Sequence, residues 1–293
     1  MPPRLVERVE TSAHERDRTE SGPGLRPQLL HDVRDGPHDA RTACRRPGDD
    51  EGPRLMAHFY LASALSSDAA ALTGEEARHA AQVARLRTGE RVVVGDGAGR
   101  VADAEAVSVS RDRVELRVLD LRDEPEPRPR IVLVQALAKG GRDESAVQAA
   151  VELGVAAVVP WQAARSVSRW TGAKVESGRE RWTAIAREAG KQAMRPWAAR
   201  VLPLHTTAEV IALPGNLLVL EPGASERLLD AVPSGAEEIV LVVGPEGGIA
   251  PEELAALDAA GATRVRLGAS VLRTSTAGPA AIAALGPHLG LWP

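Results

Sequence analysis

The stretch Leu241-Val242-Val243-Gly244-Pro245-Glu246-Gly247-Gly248 decides how this chain reads, together with a second one, Leu267-Gly268-Ala269-Ser270-Val271-Leu272-Arg273-Thr274-Ser275-Thr276-Ala277. Each opens on apolar residues, breaks into a loop of small or polar residues, and then enters a helical pattern. Apolar runs bounded by Gly and Pro mark buried parallel strands. Loops at the carboxyl ends of such strands are where open α/β sheets bind ligands. Glycine lets the backbone approach a ligand closely. The pair therefore reads as a small-molecule pocket built largely of main chain. Gly244–Gly248 in isolation fits a tight turn equally well; the second stretch makes the pattern specific.

Working outward, strand and helix alternate. Residues 131–137, 156–159, 216–221, 238–243 and 264–267 read as strands, the second of them stopping at Pro160. Residues 143–153, 176–194, 251–260 and 275–289 read as helices, the third with Pro at its start and Gly261 at its end, the expected asymmetry. On 176–194, Trp182 and Ile185 mark an apolar side, and Arg179, Arg181, Arg187, Lys191 and Arg195 the other. This order predicts a mostly parallel sheet covered on both faces. The alternating prolines of 124–129 favour extended backbone and suit a domain boundary.

Residues 56–124 read as a smaller β-rich unit, with strands over 58–61, 91–97, 101–107 and 114–119. Thr73, with Glu76 three residues on, predicts a capped helix running to about 86. Arg78, His79, Arg85, Arg87 and Arg91 form a local basic cluster. It suits phosphate contacts, and it equally fits a solvated helix face. His79 equally fits a packed helix histidine. It has no partner at metal-ligand spacing, so no metal is expected. Residues 1–55 hold no Phe, Trp or Tyr and are rich in Arg, Asp, Glu, Pro and Gly. Such a composition does not offset the entropy of ordering. They read as a disordered extension, a stretch ahead of a true start at Met56, or a charged RNA-contacting tail.

The chain's 293 residues suffice for two domains. A net charge of -4 means that any RNA contact rests on a local patch. The lone cysteine, Cys44, excludes a disulfide framework and a Cys-based zinc site, and it fits a cytoplasmic location. No apolar run approaches the roughly 18 residues of a membrane helix, so no membrane partner is expected. Phosphate-loop, dinucleotide-binding, G-x-S-x-G and H-E-x-x-H motifs are absent. Gly95-Asp96-Gly97-Ala98-Gly99 lies between strands and reads as a hairpin turn.

With these residues in place, the chain resembles the SPOUT class of RNA methyltransferases, most closely the 16S rRNA (uracil-N3)-methyltransferase family. Members read roughly G-P-E-G-G, then L-G-x-x-[IV]-L-R-x-E-T-A. Further matches are His79-x3-Val83-x-Arg85-Leu86-Arg87-x-Gly89, Lys139, Glu152-Leu153-Gly154-Val155, Arg181-Trp182, Glu188-Ala189 and Gln192-x2-Arg195. The resemblance implies an α/β fold: a PUA-like β-barrel that binds RNA over 56–124, then a SPOUT methyltransferase domain over 125–293 ending in a trefoil knot. It implies S-adenosyl-L-methionine as cofactor, 16S rRNA of the small ribosomal subunit as partner, and a homodimer. It places Leu220, Gly244, Glu246, Gly247, Gly248, Leu267, Gly268, Leu272, Thr276 and Ala277 around the cofactor. Arg273 is the expected catalytic cation and Glu246 a candidate proton acceptor; the alternative for Glu246 is to accept cofactor or backbone hydrogen bonds. His79, Arg85, Arg87, Lys139, Arg165 and Arg195 are expected at the RNA. One departure stands out: Ser275 replaces the family's glutamate. It can cap the last helix, so its loss is expected to cost stability more than catalysis. Two other readings remain open, a non-catalytic ribosome-assembly factor that binds RNA and a 2'-O-ribose methyltransferase of the same fold class.

Overall fold

The computed structural model describes residues 58–292. The expectations for residues 1–55, the start at Met56 and Cys44 lie outside the described residues. In the first part of the chain, β1 (Phe59–Leu61), β2 (Ala64–Leu65) and β3 (Ala69–Thr73) precede a short helix α1 (Gly74–Arg78) and a π turn (His79–Val83). Then come β4 (Arg91–Gly95), β5 (Arg100–Val109) and β6 (Arg113–Asp123). These strands form a six-stranded sheet in the order β1-β4-β5-β6-β3-β2. Register shifts between β5 and β6 at Asp103/Ala104 and Ala106/Ser108 bend the long ribbon, as bulges do. The sheet encloses Tyr60, Leu72, Val94, Ala102, Ala104 and Val114, all fully buried.

The expected helix over 73–86 is broken. It ends as α at Arg78, turns as π through Val83, and then passes Arg85 with φ +55. Thr73 makes no side-chain cap. Glu76 does not fold back onto the cap because it is buried and bound elsewhere. Its carboxylate accepts hydrogen bonds from Arg187, at 2.7 Å, and from the Leu61 N–H, and it pairs with Lys191 at 3.0 Å.

The second part contains β7 (Arg130–Ala136), α2 (Arg142–Glu152), β8 (Ala157–Trp161), α3 (Ala173–Gln192), β9 (Arg200–Val201), α4 (Thr207–Ile211) and β10 (Asn216–Leu220). It continues with β11 (Glu226–Arg227), β12 (Glu238–Val243), α5 (Pro251–Ala259), β13 (Thr263–Arg266) and α6 (Thr274–His288). All seven strands run parallel in the order β11-β13-β10-β12-β7-β8-β9. Alternation along β7 and β12 explains the continuous apolar runs. Ile131, Leu133, Ile239, Leu241 and Val243 enter one core, while Val132, Val134, Val240 and Val242 enter the other. A sheet buried on both faces needs both sets.

Several element boundaries differ from expectation. Strand β8 continues through Pro160 to Trp161, with Pro160 opposite Gln135. The short β9 and β11 escaped the sequence reading, since two residues carry no period. On α3, Trp182 is buried and meets Trp170 edge-on at 5.3 Å. Lys191, expected on the solvated side, is instead 8 % exposed because it faces Glu76. The order of the sheet positions the site. Strand β10 lies between β12 and β13, so the connection through α5 skips a strand. After β13, α6 returns across the sheet to pack on α2, β12 and β7. That return lays α6 over β7 and β12, the central strands of the sheet. It is tight at Gly278, where a Cβ would sit 2.9 Å from Leu133 Cδ1.

Candidate active site

Because β10, β12 and β13 are parallel neighbours, the loops after them emerge along one edge. Between these loops lies a cleft of about 510 Å³. Leu220, Val243, Leu267, Leu272 and Ala277 give it apolar walls, and Gly244, Gly248 and Gly268 bring main chain to its surface. Gly248 holds φ +72, a conformation that disfavours a side chain. At Gly244 a Cβ would meet Ile249 Cγ1 at 2.6 Å. Apolar walls with accessible main chain fit an adenosine-type ligand.

Of the residues expected around the cofactor, the cleft brings together Leu220, Gly244, Glu246, Gly248, Leu267, Gly268, Leu272 and Ala277. Gly247 and Thr276 fall outside its lining. The Gly247 carbonyl instead accepts from Arg165 Nη1 at 3.2 Å, and Thr276 is exposed on the first turn of α6. Arg273 stands exposed in the cleft wall. Its side chain makes no ion pair or hydrogen bond among the described residues.

The sequence reading missed Arg142. It reaches the cleft from the start of α2 and donates to Glu246 Oε1 at 2.8 Å. The Lys139 N–H points at the same oxygen at 3.4 Å. Burial pushes the Glu246 carboxyl up. Its own N–H, the Arg142 guanidinium and the Lys139 N–H outweigh that and hold it below the ordinary carboxylate value. Also missed was Thr274, the first residue of α6. Its hydroxyl donates to the Gly244 carbonyl at 2.9 Å and accepts from Gln135 Nε2 at 2.9 Å. This changes the reading of Ser275. The N-cap of α6 is Arg273, and the Ser275 side chain makes no hydrogen bond among the described residues. The hydroxyl that anchors the helix start belongs to Thr274.

The expected RNA contacts separate into groups. Lys139 and Arg165 are exposed and touch the 244–248 loop at the cleft. Arg85 and Arg87 are exposed beyond the π turn. His79 is partly buried, 6.0 Å from the Tyr60 ring. Arg195 has a structural assignment: its guanidinium donates to the carbonyls of Val151, Gly154 and Val155 at the end of α2. Burial lowers its pKa to about 10, so it stays charged at neutral pH and neutralises the negative helix end. Among the described residues, no group of three or more His, Cys, Asp or Glu is placed to hold a metal.

Fold and cleft together define the class: an RNA methyltransferase with a PUA-type domain ahead of its catalytic domain. The model of the RNA methyltransferase domain matches residues 124–286, and that of the RNA methyltransferase PUA domain residues 72–119. Ribosomal RNA small subunit methyltransferase E of Mycobacterium bovis is 43 % identical over 245 residues, which cover 80 % of this chain and 92 % of that protein. The Bacillus subtilis protein of the same name is 32 % identical, covering 73 % and 88 %. The crystal structure of ribosomal RNA small subunit methyltransferase E from Neisseria gonorrhoeae bound to S-adenosyl methionine superposes with a TM-score of 0.71. Its identity is 31 %, and the match covers 81 % of this chain and 98 % of that one. This chain belongs to the ribosomal RNA small subunit methyltransferase E family. It is a SPOUT-class enzyme that uses S-adenosylmethionine.

Proposed function

We propose that this protein methylates N3 of a uridine in 16S rRNA, and that the cleft between the β10, β12 and β13 loops is where it does so. The observation that carries this reading is an apolar, main-chain-lined cleft with an uncommitted arginine, Arg273, in its wall. S-adenosylmethionine, when bound, supplies an electrophilic methyl group on its sulfonium. Leu220, Leu267, Leu272 and Ala277 take its apolar parts, with Gly244, Gly247, Gly248, Gly268 and Thr276 shaping the surrounding loops. N3 lies on the pairing edge of uracil, so the base enters unpaired or flipped. Arg273 lies against the uracil carbonyl oxygens and favours the N3 anion, much as an oxyanion hole does. The N3 proton leaves to water. Glu246, committed to Arg142 and depressed in pKa, is a poor base, and its role is to hold the cleft loop in place. Lys139, Arg165, Arg85 and Arg87 meet phosphates, and His79 and Arg195 support the surfaces that carry them.

The same reading divides the chain into a PUA-like part over 56–124 and a catalytic part over 125–293, working as a homodimer in the cytoplasm. No helix among the described residues is long and apolar enough to cross a membrane.

The test uses the purified protein, labelled S-adenosylmethionine and small subunits from cells lacking the gene, with the methylated nucleoside identified after digestion. The expected product is 3-methyluridine at one site. Label on a ribose overturns the choice of target atom, and no label with no bound cofactor favours an assembly factor.

A further inference from the structure

Gln135 is an amide in an aliphatic layer. It is fully buried near the end of β7, directly beneath the cleft loops. Its Nε2 donates to Thr274 Oγ1 at 2.9 Å and to the Ala136 carbonyl at 3.2 Å. Its Oε1 has no partner among the described residues. Flipping the amide would set Oε1 against the Ala136 carbonyl oxygen, so the two acceptors dictate the orientation seen. Thr274, 6 % exposed, passes the connection on by donating to the Gly244 carbonyl. Its hydroxyl is thereby used as acceptor and donor at once. Gly244 begins one cleft loop, and Thr274 follows Arg273 at the end of the other. An unmet buried acceptor costs stability, so what this arrangement supplies is order: a buried, satisfied hydroxyl has one position.

We propose that Gln135 and Thr274 are positioning residues for methyl transfer. They latch the 244–248 loop to the 267–273 loop, set the width of the cleft around the cofactor, and aim Arg273 into it. The inference rests on the cofactor reading of this cleft. Neither residue touches the reacting atoms. Each acts through the loops it ties.

The full chain carrying Thr274→Val, Thr274→Ser or Gln135→Leu tests the latch. Titration calorimetry with S-adenosylmethionine and single-turnover methylation at saturating cofactor are the readouts. Valine keeps the shape of threonine and removes the hydroxyl. We expect Thr274→Val to weaken cofactor binding about tenfold and to slow the saturated turnover, with Thr274→Ser restoring both to within about threefold. Gln135→Leu, which leaves the Thr274–Gly244 bond in place, gives a smaller shift in the same direction. It carries the test if Thr274→Val does not fold. Wild-type binding and turnover in Thr274→Val, or a serine variant as impaired as the valine one, overturns the latch and leaves the cofactor site standing. Wild-type protein that binds no cofactor overturns the site and the latch together.

Discussion

Two carboxylates in this protein are each gripped by an arginine, and they do opposite things. Glu76 lies in the seam between the small sheet and α3. Its side chain is 4 % exposed, and it holds Arg187 and Lys191. Glu246 lies at the mouth of the cleft, where its side chain and that of Arg142 are 24 % and 40 % exposed. In the seam, Glu76 and Lys191 are both nearly shut off from water, so losing Glu76 leaves Lys191 buried with only the exposed Glu188 to compensate it. At the cleft, water and neighbouring dipoles replace a lost partner, so the pair adds little to stability and is free to serve binding. The same contact is thus architecture in one place and equipment in the other.

Breaking the seam has the largest expected effect. Glu76→Ala should cost about 2–4 kcal/mol in denaturant unfolding, because buried Lys191 then keeps only the exposed Glu188 as partner and the Leu61 N–H loses its acceptor. Removing both ends, as in Glu76→Leu with Lys191→Met, should recover most of that loss. A double variant as unstable as the single would show that the seam does not depend on charge burial. At the cleft, Arg273→Ala should slow methylation about a hundredfold while leaving the melting temperature and cofactor affinity near wild type. Unchanged turnover would remove Arg273 from the chemistry.

The seam also has its own reporter. Tyr60 is the sole tyrosine of the chain. Burial first, then Glu76 and Glu90, push its phenol from 10 up to about 12. In the unfolded chain it ionises near its ordinary value. The stabilisation linked to its proton is therefore complete below that value and declines as pH rises from 10 through about 12. Ultraviolet titration of the phenolate should show this delayed ionisation, and Glu76→Gln should move the midpoint part of the way back. The smallest effect belongs to the cleft. Glu246→Gln should change unfolding free energy by less than about 1 kcal/mol while weakening cofactor binding measurably by calorimetry. A loss of stability comparable to that of Glu76→Ala would erase the distinction between the two sites.

Local patterns revealed much of the fold. The strands over 131–137 and 238–243 are legible because a strand buried on both faces must be apolar throughout. Helix α5 is legible from Pro251 and Gly261. The break after Arg78 was hidden, because the capping pattern at Thr73 and Glu76 is a local signal overridden by a distant pair of cations. In the cleft, the glycine loops and Arg273 were visible as motifs. Arg142 was not, since nothing near it in sequence marks it as a partner of Glu246. Ser275 drew attention as a departure from a motif, whereas the neighbouring Thr274 makes the bonds.

By itself, then, the sequence determined the long strands and helices of the parallel sheet, where the two loops fall, and which family they resemble. Those features follow from periodicity and from glycine and proline chemistry within a few residues. Tertiary structure alone decided who meets whom: Glu76 with Arg187 across 111 positions, Arg142 with Glu246 across 104, and Gln135 with Thr274 across 139. Each of these pairs joins side chains whose own neighbours in sequence are silent about the contact. Only the strand order of the sheet and the return of α6 bring them within hydrogen-bond reach.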